Sequence, residues 1–317
     1  MIITVIKHAM QTTSVIPFRK PPDFEAIKSL VLDSVASAHS RRAYERALTD
    51  FISWHLEHEK PFDKAAVQSY ARHLEAAGLS SSTINVRLTA VRRLAAEAAD
   101  NGLMESALAL GIGRVKGSKQ AGVRTGNWLT AEQAESLINA PNQLKIKGKR
   151  DRAVLAVMVG CGLRRSEVSE LSLESIQQRD GRWTIVDMRG KGKRVRTVPM
   201  PSWCAVAIQQ WTAAAELTAG NVFRPMNNKG EVLEGVLLPQ NIMMLVTRYG
   251  REIGLAKLAP HDLRRTFAKL AHRGKAALEQ IQLSLGHSSI QTTERYLGIR
   301  QDLQDAPCDH LGLKLCS

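Results

Sequence analysis

Apolar residues recur at helical spacing over two long stretches of the chain, separated by a segment with no apolar rhythm. In the first stretch, from about 24 to 110, Ala43, Leu48, Phe51, Ile52 and Leu56 mark one helix, with Tyr44 and Trp54 nearby. Asp63 is placed to cap a helix through Leu74 that Gly78 ends. Ser80-Ser-Ser-Thr83 opens another, running to about Ala98 and stopped by Asn101-Gly102. The pattern predicts a bundle of four helices. Before it, residues 1–23 read as an irregular arm ending in Pro21-Pro22.

Residues 111–127 hold five glycines, four Lys or Arg and no acid, the composition of a flexible basic linker and the best domain boundary in the chain. The second stretch, from 128 to about 300, opens on Thr130-Ala-Glu-Gln133, a capping box. An almost wholly apolar run at 149–160 predicts a buried helix, broken at Cys161-Gly162, with a new helix starting near Arg164. Trp183 to Met188 and Val195 to Val198 alternate as strands around a glycine- and lysine-rich turn, so they predict a hairpin. Helices follow at about 202–217, 237–253, 262–272, 275–284 and 289–297. The expectation is a mainly α chain with a small β-sheet, in two domains, with a tail at 301–317 and without internal repeats.

Charge then narrows the class. There are 44 Lys and Arg against 30 Asp and Glu, a net +14, which points to a polyanion and first to nucleic acid. The 80–98 helix carries Arg87, Arg92 and Arg93 beside Asn85 and Thr89, and the linker adds Arg114, Lys116 and Lys119. These are the candidate DNA contacts; the competing reading is a solvated helix face. Four cysteines, at 161, 204, 308 and 316, form no C-x-x-C pair, so no zinc site or disulfide framework is indicated and a reducing cytoplasm fits best. The apolar Met1–Ile6 is too short for a signal peptide or membrane span, and no phosphate-loop motif suggests nucleotide hydrolysis.

The candidate chemistry lies in the second domain. Arg164 and Glu167 are three apart at a helix start, where an arginine fork can meet a phosphate, although a surface ion pair has the same spacing. Lys191 lies between glycines in the hairpin turn, where it could reach a minor-groove edge or donate a proton to a leaving oxygen, with Lys193 its competitor and a solvated turn lysine the plain alternative. His261 and Arg264 follow Pro260 at a helix start that favours phosphate. His287 and Tyr296 lie nine residues apart near the end. A tyrosine with a pKa of about 10 is a poor nucleophile and needs a proton acceptor and a cationic cradle to attack phosphorus.

Gly-Leu-Arg164-Arg-Ser-Glu167, Gly-Lys191-Gly, His261-Asp-Leu-Arg264-Arg-Thr-Phe, Leu-Gly-His287 and Tyr296 resemble, in order and separation, the motifs of the tyrosine recombinase (phage integrase) family. The likeness is strong over 128–300 and looser over 24–110, which looks like the family's SAM-like core-binding domain. It implies that Arg164 and Arg264 clamp the scissile phosphate, with Glu167 supporting the pocket. His287 would hydrogen-bond the phosphate, His261 take the proton of Tyr296, and Lys191 act as general acid. Tyr296 would form a 3′-phosphotyrosine bond, with neither ATP nor metal as cofactor. The likeness further implies a tetramer on two double-stranded DNA sites, of this chain alone or with a related recombinase, and a four-way junction. The tail, with Leu311, Leu313 and Leu315, would dock on a neighbouring protomer. The short arm resembles the two-domain Xer or transposon type. Competing readings are a type IB topoisomerase-like enzyme, a regulator that kept the fold without catalysis, and a metal-dependent nuclease, for which no convincing carboxylate cluster can be assembled.

Overall fold

A computed structural model describes residues 23–119, 128–190 and 195–298. The chain divides into two compact units, Met1–Val123 and Arg124–Ser317, each with its own core. Residues 1–22 of the expected arm at 1–23, the linker residues 120–127, the hairpin turn with Lys191 and Lys193, the tail, Cys308 and Cys316 lie outside the described residues.

The first unit is five helices: α1 (Phe24–Asp33), α2 (Ala38–Glu57), α3 (Lys64–Ala76), α4 (Ser81–Asp100) and α5 (Ser106–Gly113). The first four start at side-chain caps: Asp23, Ser37, Asp63 and Ser80 each accept a backbone N–H of the first turn. Helix α4 is the hub, with α1, α2, α3 and α5 all packed on it. Its Ile84, Leu88, Val91, Leu94, Ala95 and Ala98 are buried, a stripe that recurs every turn. Each fully buried leucine there contributes about 2 kcal/mol of hydrophobic stabilisation. The sequence predicts a linker from residue 111, but α5 runs on to Gly113 and Val115 packs beside it. Ile112 and Val115 are buried in the same core, so two apolar anchors hold the start of this glycine-rich stretch.

The second unit is built on α7 (Ile146–Gly160), preceded by α6 (Ala131–Asn139) with its Thr130–Gln133 capping box. Residues Ala153 to Val159 of α7 are all buried, so the helix carries neighbours on all sides, α9 (Ser202–Ala214) and α11 (Pro260–Arg273) among them. Short α8 (Arg165–Ser169) follows the break. The sheet is antiparallel in the order β1 (Ile176–Arg179), β2 (Arg182–Arg189), β3 (Val195–Pro199), with Ile185 opposite Ile176 on one side and Val198 on the other. Strand β1 is an addition to the expected hairpin. Its sequence, Ile-Gln-Gln-Arg, has no alternation to announce it and it forms by pairing with β2. Helix α10 (Pro239–Glu252) is tied to α7 through buried Asp151, which accepts from Arg248 and the Tyr249 hydroxyl. Last come α12 (Leu278–Leu285) and α13 (Ile290–Leu297), with Ala268, Ile281, Leu285 and Leu297 forming a small core of their own beside α11.

Candidate active site

Two helices end on glycines in the left-handed region, and both ends face one arginine. Helix α7 stops at Cys161, and Gly162 follows at φ 60°. A Cβ there would sit 2.6 Å from the Phe267 ring, so backbone angle and space both demand glycine. Helix α12 stops at Gly286, φ 63°. The Gly162 carbonyl accepts from Arg264 Nη1 at 2.6 Å and the Leu285 carbonyl accepts from Nη2. Helix C-termini are the negative ends of their dipoles and leave carbonyls without partners. Arg264, 2% exposed, meets the last carbonyl of α12 and the Gly162 carbonyl in the turn after α7 with one buried cation. Burial, then the charge of Arg164, lowers its pKa to about 10, so it stays protonated at neutral pH. Among the described contacts, its remaining N–H groups are left for a ligand.

Arg164 caps α8 beside it, and Glu167 joins the two arginines. Glu167 is 3% exposed. Its carboxylate accepts from the Arg164 backbone N–H (2.8 Å) and Nη1 (2.7 Å), and from Arg196 Nη1 (3.0 Å) and Nη2 (2.8 Å); Arg264 Nη1 is 4.0 Å away. Burial pushes the carboxyl pKa up, but the Arg196 and Arg164 hydrogen bonds and charges outweigh it, and the net shift is downward. The pair that sequence spacing alone reads as a surface bridge is therefore an interior one. Arg196 was not singled out by motif. Strand periodicity is the signal that would have found it, since it shares a face of β3 with buried Val198.

Tyr296, on α13, reaches into this cluster. Its hydroxyl donates to the backbone carbonyl of His261 at 3.3 Å. The His261 and His287 rings stand edge-on to it, each 5.3 Å between centroids, and the Arg265 guanidinium lies 5.1 Å from its ring centre. Thr293 and Leu297, both buried, anchor the helix that carries it. Burial raises the Tyr296 pKa against the opposing charges of Arg264, Arg265 and Arg164, so the hydroxyl keeps its proton in the free protein. His287 follows the Gly286 turn, and its Nδ1 meets Thr293 Oγ1 at 3.0 Å, leaving Nε2 for a ligand among the described contacts. Burial first, then Arg264, Arg164, His261 and Arg196, lowers its pKa to about 4. His261 keeps an exposed edge, yet burial and the charges of Arg265 and Arg264 hold it below the ordinary histidine value. The site opens on a cleft of about 410 Å³ lined by Arg164, Arg165, Ser166, Pro260, His261 and Arg264. Arg164, Glu167, His261, Arg264, His287 and Tyr296 thus come together; Lys191 lies outside the described residues, between the end of β2 and the start of β3.

The candidate DNA contacts divide in the structure. Arg93, Arg114, Lys116 and Lys119 are exposed. Arg87 pairs with Asp50 at 2.7 Å, and Arg92 donates to the Val115 carbonyl, so the latter spends a guanidinium nitrogen on holding the chain after α5. A groove of about 550 Å³ on this unit is lined by Arg42 and Arg46 of α2 and by Ser82, Thr83 and Arg87 of α4. Arg42 and Arg46 went unnoticed by motif; their spacing of four on one helix face was the available signal. Among the described residues no group of three or more His, Cys, Asp or Glu is placed to hold a metal ion, and no helix is long and apolar enough to cross a membrane.

The family model described as Phage integrase family matches residues 127–302, and the Phage integrase N-terminal SAM-like domain matches 27–102. The tyrosine recombinase XerC of Pseudomonas fluorescens is 30% identical over 82% of this chain and 85% of its own length. Among solved structures, the Tn1549 transposon integrase in complex with circular intermediate DNA has a TM-score of 0.69 at 16% identity, covering 92% of this chain and 99% of its own. The XerH site-specific recombinase bound to a palindromic difH substrate has a TM-score of 0.66 at 20% identity, covering 89% and 82%. At these identities the structural likeness establishes the fold.

Proposed function

The chain belongs to the phage integrase family, and from that premise we propose that Tyr296 is the nucleophile with which this site-specific DNA recombinase cuts and rejoins strands. The observation that carries the assignment is the convergence of Arg164, Arg264, His261 and His287 around the Tyr296 hydroxyl. Arg164 and Arg264 hold the non-bridging oxygens of the scissile phosphate, and His287 Nε2 adds a hydrogen bond. Each such donor contributes about 100- to 1,000-fold to rate where it meets charge that grows in the transition state. The Tyr296 oxygen bonds to phosphorus as the bond from phosphorus to the 5′ oxygen breaks. Lys191 gives that oxygen its proton, and the tyrosine proton passes to His261. Because the free hydroxyl is held protonated, the proton leaves in step with attack. The free-protein bond to the His261 carbonyl is a resting contact, and catalytic hydrogen bonds tighten when substrate arrives.

The 3′-phosphotyrosine bond conserves the energy of the broken phosphodiester, so a 5′-hydroxyl from another duplex can reverse the step without ATP. Two such rounds pass through a four-way junction, the general mechanism of the family. Residues 24–110 hold the DNA through the Arg42–Arg46–Arg87 groove, with Arg92, Arg93, Arg114, Lys116 and Lys119 adding to the basic surface. Four protomers act together, of this chain alone or with a related recombinase, at the nucleoid in the bacterial cytoplasm. The tail at 301–317 docks on a neighbour, so deleting 303–317 weakens tetramer assembly on DNA more than DNA binding.

A nicked suicide DNA substrate incubated in EDTA tests the central claim. Wild type yields a covalent adduct on a denaturing gel, and Tyr296→Phe binds the DNA but yields none. An adduct from Tyr296→Phe would remove the tyrosine from its role. Loss of the wild-type adduct in EDTA would instead favour a metal-dependent nuclease.

A further inference from the structure

Arg196 has no part in the chemistry above, yet its guanidinium makes three hydrogen bonds inside the catalytic unit. Nη1 and Nη2 donate to the two oxygens of Glu167 at 3.0 and 2.8 Å, and Nε donates to the Ser284 carbonyl at 2.9 Å. Its side chain is only 10% exposed. The fork of an arginine fits a carboxylate in two places at once, which fixes the plane of the carboxylate as well as its position. Those same two oxygens hold the Arg164 backbone N–H and guanidinium. Arg164 is the looser partner, its side chain 30% exposed. The Arg196 chain also passes the turn before His287, where a Cβ on Gly286 would lie 3.0 Å from Arg196 Cδ. One residue of β3 is therefore in contact with the carboxylate behind the phosphate clamp and with the turn that presents a candidate phosphate ligand.

We infer that Arg196 is a positioning residue for strand cleavage: its fork locks the Glu167 carboxylate, which in turn sets the Arg164 guanidinium against the scissile phosphate. This rests on the reading that Arg164 clamps that phosphate. A lysine at 196 keeps the charge but makes a point contact, so the carboxylate is free to rotate and Arg164 drifts with it. A displacement of about 1 Å in a catalytic group is enough to cost about 100-fold in rate.

The experiment uses the full chain and single-turnover adduct formation on nicked suicide DNA. One substrate has an ordinary scissile phosphate; the other has a methylphosphonate there, which carries no negative charge on the non-bridging atoms. Arg196→Lys and Arg196→Gln are expected to form adduct about 100-fold more slowly on phosphate, and the deficit shrinks to under about 10-fold on methylphosphonate, where less charge awaits Arg164. DNA affinity of Arg196→Lys stays near wild type, and the rates are read well below its thermal midpoint, which falls with the lost second contact to Glu167. An equal deficit on both substrates, an unchanged rate, or loss of DNA binding with the deficit would each overturn the inference, the first and last marking a merely structural role. Arg164→Lys is the reference: it should show the same preference for the neutral substrate. If it does not, the clamp assignment itself falls, a failure distinct from that of Arg196 alone.

Discussion

Glu167→Gln alters one heavy atom and no shape, yet it should be among the most damaging single changes in the catalytic unit. The carboxylate accepts four hydrogen bonds, two from Arg164 and two from Arg196, with Arg264 Nη1 at 4.0 Å. Every neighbour is a donor, so the new amide nitrogen faces donors only while its oxygen keeps part of the bonding. Hydrogen bonds to a charged group are worth about 1.5–3 kcal/mol each, which makes the four together roughly 6–12 kcal/mol in gross terms. The glutamine oxygen recovers some of this, and the partly exposed Arg164 rehydrates. Removing one partner from a buried ion pair costs about 3–5 kcal/mol net, and that is the expected loss here. For a unit of this size 1 kcal/mol corresponds to about 2–4 °C, so the midpoint should fall by roughly 6–20 °C. Urea titration followed by tryptophan emission reads the change, because Trp128, Trp183, Trp203 and Trp211 all lie in the second unit and Trp54 alone in the first. A second signature is acid sensitivity. The folded pKa of Glu167 is depressed, so its stabilisation is complete above about pH 4.5 and is lost as pH falls further; the glutamine variant should lack that acid limb. A variant within about 1 kcal/mol of wild type, the scale of an exposed ion pair, would show that the three guanidiniums do not depend on this carboxylate.

Gly162→Ala would place a methyl 2.6 Å from the Phe267 ring at a φ of 60°, so it should destabilise the unit and misplace the carbonyl that holds Arg264; a thermal midpoint and adduct yield equal to wild type would contradict this. His287, with a free-protein pKa of about 4, should be neutral at pH 6 by NMR titration. Its folded pKa lies below the unfolded value of about 6.5, so the stability linked to its neutral form is full above that pH and lost as pH falls toward 4; a midpoint at or above 6.5 in the free protein would refute the placement. Arg42→Ala with Arg46→Ala should lower the slope of log affinity against log salt by about 2, one phosphate contact each, and leave adduct chemistry on saturating DNA unchanged. An unaltered slope would move the DNA away from that groove.

Local signals carried most of the fold. Helix starts were legible wherever a cap residue preceded an apolar stripe, as at Asp63, Ser80 and Thr130, because those hydrogen bonds close within three residues. Strand β1 was not legible, since its stabilisation comes from β2 and leaves no mark on its own side chains. Order and separation single out Arg164, Glu167, His261, Arg264, His287 and Tyr296 as a set, and the fold brings these six together, whereas the burial of Glu167 has no such mark in the sequence. Its deciding partner beyond Arg164, Arg196, lies 29 residues further along, beyond any local spacing rule. Arg92, basic and on the expected helix, gives one guanidinium nitrogen to the Val115 carbonyl, an acceptor in the stretch read as linker that no local spacing announces.

Arg264 ties the end of α12 to the turn after α7 with the same guanidinium that would hold the phosphate. A chain that loses this arginine leaves two buried carbonyls without their donor, a cost that falls on the fold as well as on the cut. A chain that loses the Tyr296 hydroxyl gives up one 3.3 Å contact to a backbone carbonyl. Descendants of such an enzyme that keep the grip on DNA without the cut therefore have one short road, through the tyrosine, and the arginine marks where that road is closed.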